Sequence, residues 1–176
     1  AARLYLEASK SVEGNESLRL KQKASALFLS SGYLQEGLRA CHDVMTELNI
    51  DLPLYGPVDV VQFDHLRVES KALMEIVPSE LNSIEVTQTP LDVEVAWTIA
   101  LTLGHIDQVR AIVFHWFTIA QALKSKDPYL ISRCMSVQAI FLTRTGTAVE
   151  SQTLALAKNA YDLALLSDKP QAMGLA

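Results

Sequence analysis

Glycine and proline are scarce in this chain, seven and six of its 176 residues, about 7% where an average soluble chain carries roughly 12%. So few points of cheap backbone turning exclude collagen-like repeats, flexible linkers and small sandwiches of many short strands. Cysteine is scarcer still. Cys41 and Cys134 cannot build a disulfide framework in a chain of this length, and such a count fits a reducing, cytoplasmic compartment. Basic charge is in deficit, with 15 Lys and Arg against 20 Asp and Glu and a net charge of -5. Nucleic-acid binding needs clustered cations that release counterions from phosphate, so nucleic acid is not an expected partner. The one basic cluster, Arg19, Lys21 and Lys23, is too small to reverse this. Long apolar runs are also missing. The most apolar stretches, Val93–Leu103 and Val109–Leu123, fall short of the ~20 residues of a membrane span, and the second carries Arg110, His115 and Gln121. No membrane insertion is expected of either, and residues 1–8 lack the basic and apolar regions of a secretory signal.

What the chain does have is 49% hydrophobic residues arranged at helical spacing. Residues 1–10 place Leu4, Tyr5 and Ala8 on one stripe, and Asn15 is a candidate cap for a helix over Ser17–Ser30 in which Leu20, Ala24, Leu27 and Phe28 share a face. Gly32 ends it. The next helix runs from Tyr33 to Asn49 and is expected to stop before Pro53, since the residue ahead of a proline is pushed out of helical geometry. Pro57 can open a third helix to about Val77, although Val58–Phe63 and Ile84–Thr87 also have strand character, which leaves 53–89 a less regular insert. Thr89-Pro90 reads as a cap followed by proline in the first turn, with Asp92 and Glu94 suited to the helix dipole. Asp107 caps a helix to Lys124, Asp127-Pro128 repeats the cap-and-proline device, and Thr147 with Glu150 forms a capping box.

The expectation is an all-α chain of about seven helices. Short links make neighbours antiparallel, giving hairpins at 17–49, 90–124 and 128–167 within a single helical-repeat domain over 1–176. Their period, roughly 35 to 40 residues, is that of helical solenoids. The chain opens in mid-pattern at Ala1 and stops at Lys169–Ala176 where another helix should begin, so it reads as a piece of something longer.

The first hairpin resembles a tetratricopeptide repeat. With Gly32 as the turn glycine, Ser25 takes a small position, Phe28 the large apolar one, and Gly37 the small position where the two helices cross closely. A mid-helix glycine costs about 1 kcal/mol against alanine, which suggests a close backbone approach. Lys21 departs from the pattern, standing where tryptophan is typical. A wider resemblance rests on Arg19–Leu38, Leu48–Pro53, Asp92–Gly104 and Lys169–Ala176. Together these resemble the helical-repeat region of large bacterial serine/threonine protein kinases with a predicted ATPase module ahead of the repeats. That resemblance implies a stacked α-α superhelix and a non-catalytic interaction segment in signal transduction, bound to a protein or peptide or to the parent's own kinase or ATPase domains. ATP and magnesium would belong to those missing domains and no cofactor to this chain. In keeping with this, the sequence shows no glycine-rich phosphate loop, His-Arg-Asp or Asp-Phe-Gly segment, and no Gly-Lys-Ser/Thr run.

In such a superhelix the first helix of each hairpin lines the concave groove. Counting from the turn glycines, the lining is Arg19, Gln22, Ala26 and Leu29, then Glu94, Thr98, Leu101 and Thr102, then Arg133, Ser136, Ile140 and Arg144. Arg133 and Arg144 would be available to a carboxylate. His42, His65, His105 and His115 have no metal-site spacing and read as structural or surface residues. An alternative is a ligand-binding or enzymatic bundle with a pocket among Trp97, Phe114, Trp116 and Phe117, against which stands simple packing between helices.

Overall fold

The computed structural model describes residues 1–81, 89–143 and 150–167. Among them all regular structure is helical, with no strand. The helices are α1 (Ala2–Ser9), α2 (Gly14–Ser30), α3 (Leu34–Glu47), α4 (Asp64–Ser70), α5 (Leu91–Leu103), α6 (Gln108–Ser125), α7 (Pro128–Thr143) and α8 (Glu150–Ser167). Three 3-10 turns accompany them, at Val60–Phe63, Lys71–Glu75 and Pro78–Glu80. The chain divides into two compact units, residues 1–64 with 89–115 and residues 65–88 with 116–176.

In the first unit α1 packs on α2, α2 on α3, and α5 on both α2 and α3. The link from α2 to α3 is closed by backbone chemistry that only a residue without a side chain adopts cheaply. Gly32 sits at φ +81°, its N–H donates to the Leu29 carbonyl at 3.1 Å, and the Tyr33 N–H donates to the Phe28 carbonyl at 2.9 Å. This is the paired bonding that satisfies the last carbonyls of a helix. Phe28 and Tyr33 pack edge to face across it, ring centroids 6.2 Å apart. At the crossing, Gly37 is buried, and a Cβ there would lie 2.5 Å from both Cδ2 and Cγ of Leu29 and 3.1 Å from its backbone nitrogen. Where the repeat resemblance wants tryptophan, Lys21 instead reaches across to Glu47 on α3 in an ion pair.

Several expected boundaries move. α2 starts with Glu13 extended at its N-cap and Gly14 at φ +61° making the turn, so Asn15 lies inside the first turn and is not the cap. α3 ends before the prolines exert any effect. Asn49 takes the left-handed conformation at φ 53°, and the Ile50 N–H closes on the Met45 carbonyl at 2.9 Å. The helix expected from Pro57 to Val77 is instead a 3-10 turn, the short α4 and a second 3-10 turn. It opens at Asp59, whose carboxylate accepts the Val61 N–H at 3.1 Å, leaving Pro57 outside and Val58–Phe63 without strand. Pro90 is the N-cap of α5 and not its first helical residue, because its ψ of 144° is extended; Thr89 is no cap, and Asp92 Oδ1 accepts the Val93 N–H at 2.9 Å. Ile84–Thr87, Thr147 and Gly146 lie outside the described residues.

α5 buries Leu91, Val93, Val95, Ala96, Trp97, Ile99, Ala100 and Leu103, apolar nearly all round as expected of a helix enclosed by neighbours. The Asp107 cap forms as expected, its Oδ1 accepting the Arg110 N–H at 3.0 Å.

In the second unit α7 packs on α8. Asp127 caps α7, Oδ1 accepting the Tyr129 N–H at 2.9 Å, with Pro128 as the first helical residue. The two helices approach through small residues. Ser132 and Ala160 are both fully buried, and the Ser132 hydroxyl donates to the Ala160 carbonyl at 2.8 Å. Asn159 Nδ2 donates to the Ile76 carbonyl at 3.2 Å.

Candidate interaction face

The candidate residues of the first unit lie on α2 and α5, which touch. Gln22 Nε2 donates to Thr98 Oγ1 at 3.3 Å, and that hydroxyl donates to the Glu94 carbonyl at 2.8 Å. One turn earlier on α2, the Arg19 guanidinium reaches the Thr89 carbonyl at 3.5 Å. Three of the proposed lining positions, Gln22, Thr98 and Glu94, thus form one bonded chain across the helix pair. Gln22 is buried, and Arg19, Glu94, Thr98 and Thr102 are half-buried.

Leu29 does not belong to that face. It is 6% exposed and turned to α3, where it fills the space that Gly37 leaves empty. Counting from the turn glycine places it on the right helix but on the side that the hairpin partner covers.

An open cleft of about 410 Å³ adjoins Arg19, lined by Asn15, Arg19, Leu48, Pro90, Leu91 and Asp92. It combines one guanidinium, one carboxylate, one amide and three apolar side chains, a mixture that can seat an apolar side chain beside main-chain polar groups. A second cleft of about 320 Å³ is lined by residues including Leu27, Phe28 and Tyr33.

The third set falls in the second unit. The Arg133 guanidinium lies over the Tyr129 ring, 5.1 Å from its centroid. Ser136 is buried, its hydroxyl donating to the Ser132 carbonyl at 3.0 Å, so it is directed along its own helix and not to a groove. Arg144 lies outside the described residues.

Trp97 is 5% and Trp116 8% exposed, and neither lines either of the two clefts. Trp116 therefore presents no exposed aromatic surface. His115 is fully buried, whereas His42, His65 and His105 are exposed. Among the described residues no group of three His, Cys, Asp or Glu could hold a metal ion, and no helix is long and apolar enough to cross a membrane. Burial pushes the Cys41 thiol up to about 11, a neighbouring Ser25 hydroxyl acting weakly the other way, and the Cys134 thiol up to about 12.

The chain matches no family model, curated protein or solved structure.

One residue of consequence was not readable in the sequence. Arg110 Nε donates to Asp107 Oδ2 at 3.0 Å, NH2 to the Gly56 carbonyl at 2.7 Å, and NH1 to the Pro53 carbonyl. A single guanidinium thus ties the segment after α3 to the start of α6. The sequence signal is a cation in the first turn of an apolar helix, three residues after the Asp107 cap.

Proposed function

We propose that this chain is a non-catalytic interaction segment, a tetratricopeptide-like helical stack that binds an extended peptide or a protein surface along the α2–α5 face. The observation that carries the reading is the seating of α5 on both helices of the α2–α3 hairpin, joined by the Gln22–Thr98 bond. Such seating is how one hairpin stacks on the next in a superhelix. The adjoining cleft at Arg19 and Asp92 supplies the anchoring point, with one charge of each sign and an apolar floor.

The resemblance to repeat regions of large bacterial serine/threonine kinases extends the proposal. In that setting the partner is the kinase or ATPase module of the same polypeptide, or a protein that regulates it, and the role is signal transduction in the cytoplasm.

The test is a titration of the isotope-labelled chain with each parent module and with a library of extended peptides, followed by amide chemical shifts. Shifts centred on Asn15, Arg19, Leu91 and Asp92 are expected, and Arg19→Glu should abolish them while the chain stays folded. Binding that leaves those residues unmoved overturns the assignment of the face. No binding to any module or peptide overturns the scaffold reading itself.

A further inference from the structure

Three helix ends of the first unit meet at the cleft beside Arg19. The start of α2 supplies Asn15 and Arg19, the end of α3 supplies Leu48, and the start of α5 supplies Pro90, Leu91 and Asp92. The two charges have opposite signs and are not spent on each other. Among the described residues no ion pair joins Arg19 to Asp92. The Arg19 guanidinium makes a long bond, from NH2 to the Thr89 carbonyl at 3.5 Å, and most of its N–H donors remain for other acceptors. Asp92 accepts the Val93 N–H through Oδ1 at 2.9 Å, which leaves Oδ2.

Both residues are half-buried, so a ligand that covers them must replace the water each charge gives up. A ligand with charge of a single sign matches one of them and stands against the other. The peptide group of an extended partner offers each only a dipole. A molecule that carries a full charge of each sign matches the pair with charge-assisted bonds. Size narrows the choice. A sphere of the cleft's volume, about 410 Å³, is about 9 Å across. An α-amino acid with a hydrogen bond of about 2.9 Å at each end spans the same length.

We propose that this cleft binds a free α-amino acid with an apolar side chain. Arg19 and the Asn15 side-chain amide donate to its carboxylate, Asp92 Oδ2 accepts from its ammonium, and its side chain lies against Leu48, Pro90 and Leu91. The cleft is open and the charges keep part of their water, so the affinity is modest, with Kd on the order of 0.1 to 1 mM. The site stands on its own lining. One consequence rests on the reading given above: because the same cleft anchors the extended partner, amino acid and partner compete for it.

Amide chemical shifts of the intact isotope-labelled chain, titrated with L-leucine, test the site. Saturable shifts are expected at Asn15, Arg19, Leu91 and Asp92. N-acetyl-leucine lacks the ammonium, leucinamide lacks the carboxylate, and glycine lacks the side chain, so each should bind at least about tenfold more weakly. Arg19→Gln and Asp92→Asn should each weaken leucine at least about tenfold with the helical circular dichroism unchanged; asparagine keeps the oxygen that accepts the Val93 N–H. Shifts from leucine with none from an end-capped peptide or a parent module uphold the site and overturn the peptide reading. The reverse overturns the site and leaves that reading intact. N-acetyl-leucine that binds as tightly as leucine reduces the cleft to an anion site and overturns the proposal, as does a chain whose shifts stay fixed in 10 mM leucine.

Discussion

The place of a side chain at Gly37 is taken by Leu29. A Cβ on residue 37 would stand 2.5 Å from Cδ2 and Cγ of that leucine, well inside van der Waals contact, and 3.1 Å from its backbone nitrogen, which cannot swing aside as a side chain can. The hairpin of α2 and α3 therefore closes to a separation set by one hydrogen atom, and the burial of Leu29 follows from it.

Gly37→Ala should destabilise the chain by about 1 to 2 kcal/mol, even though alanine is the better helix former by roughly 1 kcal/mol, because overpacking outweighs propensity at a backbone contact. Urea denaturation checks the sign. Leu29→Ala alone should cost about 2 to 4 kcal/mol, and the double variant should be clearly more stable than the sum of the two predicts.

Arg110→Ala should cost about 2 to 3 kcal/mol, since it strips charge-assisted bonds from the carbonyls of Pro53 and Gly56 and from the carboxylate of Asp107. Arg110→Lys should not restore it, because an ammonium cannot serve three divergent acceptors with the fixed fork of a guanidinium. Hydrogen exchange should localise the change, with amides of residues 52–60 losing protection before those of α2.

Both thiols should resist alkylation in the native chain at pH 8 and react on unfolding. Their folded values, about 11 for Cys41 and about 12 for Cys134, lie above the ordinary 9.0 of an exposed thiol. The unfolded chain therefore releases these protons first as pH rises. Their contribution to stability is complete below pH 9 and is lost progressively from pH 9 towards 11 to 12. The urea midpoint should fall over that range, and fall less steeply in Cys134→Ala. Equal slopes in the two proteins would count against it.

Gln22→Ala and Thr98→Val should each cost about 1 kcal/mol, with a coupling energy of roughly 0.5 to 1.5 kcal/mol in a double-mutant cycle. Absence of coupling would mean that α5 is held on α2 by apolar burial alone.

How far the chain could be read from its residues depended on the range of the interaction. Gly32, Gly37, Asp107 and Asp127 declared their turns, crossing and caps because that chemistry lies within a few residues. Asn49 and Asp59 stand beside louder neighbours: proline at 53 reads as the breaker and proline at 57 as the opener, yet a left-handed asparagine and an aspartate cap set those boundaries. Leu29 was placed on the wrong side of its helix, since a count from the turn glycine does not say which neighbour reaches a given stripe first. Gln22 on one helix and Glu94 with Thr98 on another are read from the sequence as groove lining, and their bonds to one another depend on a helix pairing that residue counting does not show. Arg110 was out of reach because its acceptors are main-chain carbonyls 57 and 54 residues away, and carbonyl oxygens leave no trace in residue identity.

That last contact has a consequence for what the segment after α3 can tolerate. Arg110 grips Pro53 and Gly56 by groups that every residue owns, so a change at Tyr55, half exposed between them, gives up only its ring contact with His42, centroids 5.6 Å apart, whereas a change at Gly56, at φ +76°, strains the backbone that Arg110 holds. A fluorophore or a spin label attached at residue 55 would ride on a backbone held at both ends and report on the surface of α3 beside His42.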